Sequence, residues 1–295
     1  MTGPERGFLL LCSHLGDPER KCLSTAQFRN LTLRMHQHSA PGEDRDLTVQ
    51  DLRALGYGAQ EAQRIVHLLS EELRLERYLK QGEKRDCYPL TPFSRQYPRV
   101  LEKRLGMDAP GVLWYKGNPQ LLAAPAVALV GSRDLLPRNR EFAAEAGAQA
   151  ARQGFVLVSG NARGADRTAQ DACLDAGGRV ISFLADAPER YPQTLRTLLI
   201  SEDSFDLGFS ALRALSRNRL IHSMGIATLV AQSSLKTGGT WDGSVKNLRF
   251  GWTNLYCFDD GRDSTRLLEQ MGASVIGMEA LKDLRDLPAP VSPLI

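Results

Sequence analysis

The residues of chemistry-bearing type fall in four short runs. The first is Gly131-Ser132-Arg133, and the second is Ser159-Gly160 with the loop through Arg163 to Asp166. The third is Arg217-Asn218-Arg219, and the fourth is Lys236-Thr237-Gly238-Gly239-Thr240. Each run offers a cation beside glycines, hydroxyls or an amide. Glycine lets backbone N–H groups approach a ligand, hydroxyls and amides donate to oxygen, and arginine presents a planar fork to phosphate. Residues 211 to 250 hold six Lys/Arg (Arg213, Arg217, Arg219, Lys236, Lys246, Arg249) and one acid, Asp242. That segment is net +5 while the whole chain is +3, which leaves the remainder at −2. The basic character is local, and it points to an anionic ligand, phosphate first. The competing reading is a solvated rim around a core strand. Asp166 stands near a helix start, where an aspartate is more often a cap than a catalyst. No catalytic residue is assigned.

Composition narrows the field. The 295 residues are 42% hydrophobic and 24% charged, ordinary for a folded globular chain of one large domain or a core domain with an appendage. Cys12, Cys22, Cys87, Cys173 and Cys257 are odd in number, widely spaced and form no C-x-x-C pair, so no zinc framework is expected. No metal or cofactor is expected, and a reduced cytoplasm is the natural setting. No apolar run reaches the roughly 18 residues of a spanning helix, so no membrane partner is expected.

The elements that must position the four runs alternate. Ala126–Val130 is a continuous apolar run, as expected of a strand buried on both faces. A helix over 138–153, a strand over 155–158, a helix over 168–176 and a strand over 179–184 follow. A helix is expected over 194–199. Then come the arginine run, a strand over 226–231, a helix over 242–250, a strand over 255–258, a helix over 264–271 and a strand over 273–276. A short helix over 281–287 closes the chain. This alternation predicts an α/β, Rossmann-like doubly wound and mostly parallel sheet. Such sheets bind ligands at the carboxyl ends of their strands, where three of the four runs fall.

Residues 1–85 read as a small all-helical domain and 86–295 as the α/β domain, with an X-Pro-rich connector over 86–125 that carries a short strand over 112–117. Helices are expected over 8–15, over 23–31 with Ser24 as cap, after Thr48, and over 59–77. The polar stretch His36 to Asp46 is expected to be a loop. Helix, Gly56-Tyr57-Gly58, helix is the outline of a helix-hairpin-helix or SAM-like unit.

Taken in order, the pieces resemble the DprA/Smf family of DNA-processing proteins. The resemblance is carried by Val130-Gly131-Ser132-Arg133, by Ser159-Gly160-Asn161-Ala162-Arg163-Gly164-Ala165-Asp166, by Tyr191-Pro192 and Ser201-Glu202, by Arg217-Asn218-Arg219-Leu220-Ile221, and by Lys236-Thr237-Gly238-Gly239-Thr240. It spans residues 85 to 283. It implies an extended Rossmann domain that binds single-stranded DNA, protects incoming DNA in natural transformation and loads the RecA recombinase, acting as a homodimer without enzymatic activity. Its DNA pocket maps onto Ser132, Arg133, Arg217, Asn218, Arg219 and Lys236.

The sequence also departs from the family pattern. Asp134-Leu135-Leu136-Pro137 follows Gly-Ser-Arg, His222-Ser223-Met224 replaces Ala-Gly-Leu, and Gln232 stands for the usual acid. With Ile295 as its last residue, the chain is expected to lack the C-terminal winged helix of many members. Stacking of bases is open to Trp241, Trp252 and Tyr191, although core packing is the commoner fate of such residues. Two rival functions share the pocket. One is a nucleoside-monophosphate phosphoribohydrolase-like enzyme, whose Gly-Gly-x-Gly-Thr-x-x-Glu loop is echoed at 237–240 but has Gly243 in the place of the glutamate. The other is a sensor of a nucleotide-derived signal.

Overall fold

The computed structural model describes residues 1–38, 46–202 and 204–288. Helices α1 (Gly3–Cys12), α2 (Thr25–His38), α3 (Val49–Ala54), α4 (Ala59–Leu69) and α5 (Glu72–Glu83) come first. They are followed by β1 (Tyr88–Leu90), α6 (Arg99–Leu105), β2 (Leu113–Gly117), β3 (Ala126–Val130), α7 (Pro137–Arg152), β4 (Val156–Ser159), α8 (Ala165–Asp175) and β5 (Arg179–Phe183). The chain continues with β6 (Thr197–Glu202), α9 (Ala211–Ser216), α10 (Asn218–Met224), β7 (Ala227–Val230), α11 (Gly238–Phe250), β8 (Asn254–Phe258), α12 (Asp263–Gln270) and β9 (Ser274–Ile276).

Among the described residues nine strands form one sheet, in the order β1-β2-β6-β5-β4-β3-β7-β8-β9. Seven of them, β6 through β9 in that order, run parallel. The pair β1-β2 is added antiparallel along the free edge of β6. The α/β, Rossmann-like class read from the alternation holds. Strand β3 shows why its sequence is continuously apolar. Ala126, Ala128 and Val130 enter one core with Leu220, Ile221 and Met224 of α10, while Val127 and Leu129 enter the other with Phe142 of α7 and Ala169 of α8. Helices α7 and α8 meet through Gly147, where a Cβ would lie well inside 3.0 Å of the Ala169 carbonyl oxygen.

Several local expectations change. The span 194–199 is not a helix: Thr197–Glu202 is a buried strand, bonded to β5 on one side and β2 on the other. A three-residue apolar core, Leu198-Leu199-Ile200, carries no period that separates strand from helix. The helix expected over 59–77 breaks at Ser70 into α4 and α5. Helix α2 runs on through His36 to His38, so the loop expected there begins later, and residues 39–45 lie outside the described residues. The closing helix is instead a 3-10 turn over Met278–Lys282. Ser24 does cap α2, accepting from the Gln27 N–H at 3.2 Å. Helices α1 and α5 share a core with the sheet, because Phe8, Leu75 and Tyr78 pack with Trp114 of β2 and Phe205.

Candidate nucleic-acid interface

From β3 the chain winds outward through β4, β5 and β6, then returns to lay β7 against the other side of β3. The carboxyl ends of β3 and β7 therefore part at a switch point, the place where an open α/β sheet leaves a crevice. A cavity of about 530 Å³ opens there. Its walls come from the loop after β3 (Gly131, Ser132, Arg133), from Asp166 of α8, from α9 and α10, and from the start of α11.

Arg217 joins α9 to α10 and is the central cation of the cavity. Its side chain is only 8% exposed. The guanidinium lies against Gly160, where any Cβ would overlap it, so the glycine is what makes room for the arginine. Asp166 Oδ2 stands 4.0 Å from its Nη2. The same carboxylate oxygen accepts from the Gly160 and Ala162 N–H groups, both at 3.1 Å, which fixes the 160–162 loop. Burial pushes the Asp166 carboxyl above its usual range, against the pull of Arg217, and burial lowers the Arg217 guanidinium. The Nε and Nη1 of Arg217 are buried and have no hydrogen-bond partner. Both atoms are closed off from solvent, and Nη2 is the group turned toward the Asp166 carboxylate.

The remaining predicted residues divide. Asn218 lines the cavity and donates to the Gly239 carbonyl at 3.0 Å, tying α10 to the first turn of α11. Thr237, Gly238, Gly239 and Thr240 line it as well. Gly238 takes a left-handed φ of 84°, and the start of α11 carries no side-chain cap, so its first N–H groups face the cavity with the positive end of the helix dipole. Arg133 is exposed on the rim and forms no ion pair among the described residues. Arg163 borders a smaller neighbouring cavity of about 270 Å³ and pairs with Asp134 at 2.7 Å in the open.

Three expected contributors lie elsewhere. The Ser159 hydroxyl is fully buried and accepts from Gln170, which also bonds Ser182, so it ties neighbouring strands together. Lys236 sits exposed on the loop before α11, with φ of 54°, outside the cavity lining. Arg219 turns away altogether. Its guanidinium forks onto Glu202 at the end of β6, 2.9 Å for Nη1 to Oε2 with Nη2 on Oε1, and its Nε donates to the Asp108 carbonyl at 3.0 Å.

The structure also brings to the cavity residues that the sequence did not single out as site residues. Phe209, Ala214 and Leu215, before and on α9, line the cavity. His222 is at its floor, fully buried, with both ring nitrogens unpartnered and its pKa lowered to about 3 by burial. The would-be Cβ of Gly243 lies 2.9 Å from His222 Nε2, so imidazole fills the space into which a side chain at 243 would grow. Of the three candidate stacking residues, Trp252 is core, Trp241 packs against the core, and Tyr191 lines the smaller cavity. Among the described residues no cluster of three or more His, Cys, Asp or Glu has metal-binding geometry, and no helix is long and apolar enough to cross a membrane.

Residues 89–243 match the family model of DNA recombination-mediator protein A. The chain is 32% identical over 163 residues to the DNA processing protein DprA of Streptococcus pneumoniae, covering 52% of this chain and 54% of that protein. It spans about half the length of the curated relatives it matches. In structure it resembles the X-ray structure of DprA from S. pneumoniae, with a TM-score of 0.66 at 21% identity over 92% of this chain and 95% of that one. It also resembles DprA from Helicobacter pylori, described for its single-stranded DNA binding mode, with a TM-score of 0.55 at 22% identity over 66% of this chain and 92% of that one.

Proposed function

The chain belongs to the DNA recombination-mediator protein A (DprA/Smf) family, and on that premise we propose that it binds single-stranded DNA at the switch-point cavity. The observation that carries the reading is the convergence of Arg133, Arg217 and the uncapped start of α11 on one cavity. A DNA phosphate offers acceptor oxygens to guanidinium and backbone N–H donors of this kind. Gly131, Ser132 and Arg133 approach the same phosphate chain from β3, and Arg163 and Lys236 extend the positive field along the rim. Contacts of this kind hold the backbone and read little sequence. The wider role is protection of DNA during transformation and hand-over to RecA, by a homodimer that performs no chemistry on the strand.

A salt-titrated binding assay with a labelled dT oligonucleotide tests this. Affinity should fall steeply as salt rises, through counterion release. Mononucleotides should compete weakly. Tight mononucleotide binding with no oligonucleotide binding would replace the reading with a nucleotide sensor. Release of adenine from adenosine monophosphate would replace it with a hydrolase, for which His222 rather than a carboxylate is the group beside position 243.

A further inference from the structure

The two cavities at the switch point share one wall, made by Arg133, Ala162, Phe209, Ala214 and Arg217. From this wall we infer that the site holds two successive nucleotides, one in each compartment, with the linking phosphate at Arg133 and Arg217 and with Phe209 as the residue on which a base stacks. The inference rests on the nucleic-acid reading above and gives it a step size and a base contact.

Phe209 is 59% exposed. One exposed apolar residue is unremarkable on a protein surface. This one is set apart by its place and by how firmly it is held. It stands between two basic compartments, and its loop is pinned from behind. Arg213 Nη1 donates to the carbonyls of Leu207 at 3.0 Å and Gly208 at 2.8 Å, and Nη2 to that of Glu202 at 3.3 Å. Ser210 then caps α9, accepting from the Arg213 N–H at 3.1 Å. The ring is thus presented to solvent on a fixed backbone, and the ordering of a contact loop on binding costs little. Across the smaller compartment is Tyr191, fixed by donation to Asp186 at 2.9 Å. Aromatic rings between cations are what single strands use, since every base has a π-face and every linkage a charge.

The test compares a dT oligonucleotide with an abasic oligonucleotide of equal length, which keeps the phosphates and lacks the bases. Phe209→Ala should weaken dT binding by about tenfold and leave abasic binding unchanged. Phe209→Trp should keep dT binding and add fluorescence quenched by dT but not by the abasic strand, measured against the unaltered protein. A 5′-phosphorylated dinucleotide should compete at least about tenfold better than thymidine monophosphate. Unchanged dT affinity in Phe209→Ala, equal losses on both strands, or equal competition by the two short ligands overturns the inference alone. Failure of the unaltered protein to bind either oligonucleotide overturns the nucleic-acid reading, and the inference with it.

Discussion

Replacing Gly160 with alanine tests the site with every charge left in place. A methyl group there would occupy the volume of the Arg217 guanidinium, far inside the 3.0 Å that real Cβ atoms keep from other atoms. The obstructed atoms end a flexible side chain, so the backbone stays and the guanidinium leaves. Gly160 has no left-handed φ, and alanine fits its backbone while making the unfolded chain less disordered, worth about 0.4–1 kcal/mol in favour of folding. Arg217 leaves the buried Asp166 carboxylate, which keeps its two backbone N–H donors but loses its cation, so the fold loses about 1–3 kcal/mol. That is a drop of roughly 2–12 °C in melting temperature, small enough to leave a folded protein to assay. Binding should fall as well. A hydrogen bond to a charged group is worth about 1.5–3 kcal/mol, so Kd for a dT oligonucleotide should rise between about 10-fold and about 150-fold. Arg217→Met should match that loss and should flatten the plot of log affinity against log salt by about 0.7 for the one phosphate contact removed. Fluorescence anisotropy across a salt series, with thermal melts of the same samples, reads all three quantities. A folded Gly160→Ala protein that binds dT as the unaltered protein does would refute the placement of phosphate against Arg217.

Arg219→Ala should cost about 1–3 kcal/mol of stability, because it strands the half-buried Glu202 carboxylate, and should change dT affinity less than about threefold; melts and anisotropy on the same sample separate the two. His222 should make the fold acid-sensitive. Its folded pKa of about 3 lies below the ordinary 6.5, so the unfolded chain binds a proton that the native chain refuses; stability is full above about pH 6.5 and falls as pH drops through that window toward 3, by at most about 5 kcal/mol. His222→Gln should narrow the gap between melting temperatures at pH 7.5 and pH 5, and an unchanged gap would assign the acid response elsewhere. Gly147→Ala should destabilise by several kcal/mol, since the helix backbones of α7 and α8 must separate to admit the methyl; denaturant unfolding measures it.

The sheet was legible where a continuous apolar run stands near a glycine turn. The runs 126–130, 180–184 and 255–258 are buried on both faces, and burial on both faces is what a continuous apolar run encodes. Strand β6 was not legible, because Leu198-Leu199-Ile200 owes its strand form to β5 and β2 on either side, and neither contact leaves a local trace. The run 112–117 was legible as a strand, β2, but its antiparallel pairing with β1 and β6 was hidden for the same reason. Within the site, glycine and hydroxyl runs after strands pointed to the right rim, since strand ends are fixed by the sheet. Phe209 and His222 were invisible as site residues. One is an apolar residue in a connector and the other a polar residue in a helix, and only the packing of α9, α10 and α11 brings both to one cavity.

The arginine run shows how much direction a local charge count conceals. Arg217 and Arg219 are two residues apart at the start of a helix, and two residues at about 100° each place their side chains on nearly opposite faces. The cavity lining confirms the phase: Arg217, Asn218, Ile221 and His222 lie on it, at spacings of one, four and five, and Arg219 does not. One arginine therefore lines the switch-point cavity beside Asp166, and the other locks α10 to the end of β6 and to the carbonyl of residue 108. A net charge of +5 over forty residues overstates the field in the cavity, because Arg213 and Arg219 are engaged in holding the loop and helix that carry Phe209 and Arg217. The same paired cations make the site rigid. Two arginines fix the loop and helix that hold Arg217 over Gly160 and beside Asp166, and a cation held on a rigid frame is the preorganised arrangement that the proposed phosphate contact requires.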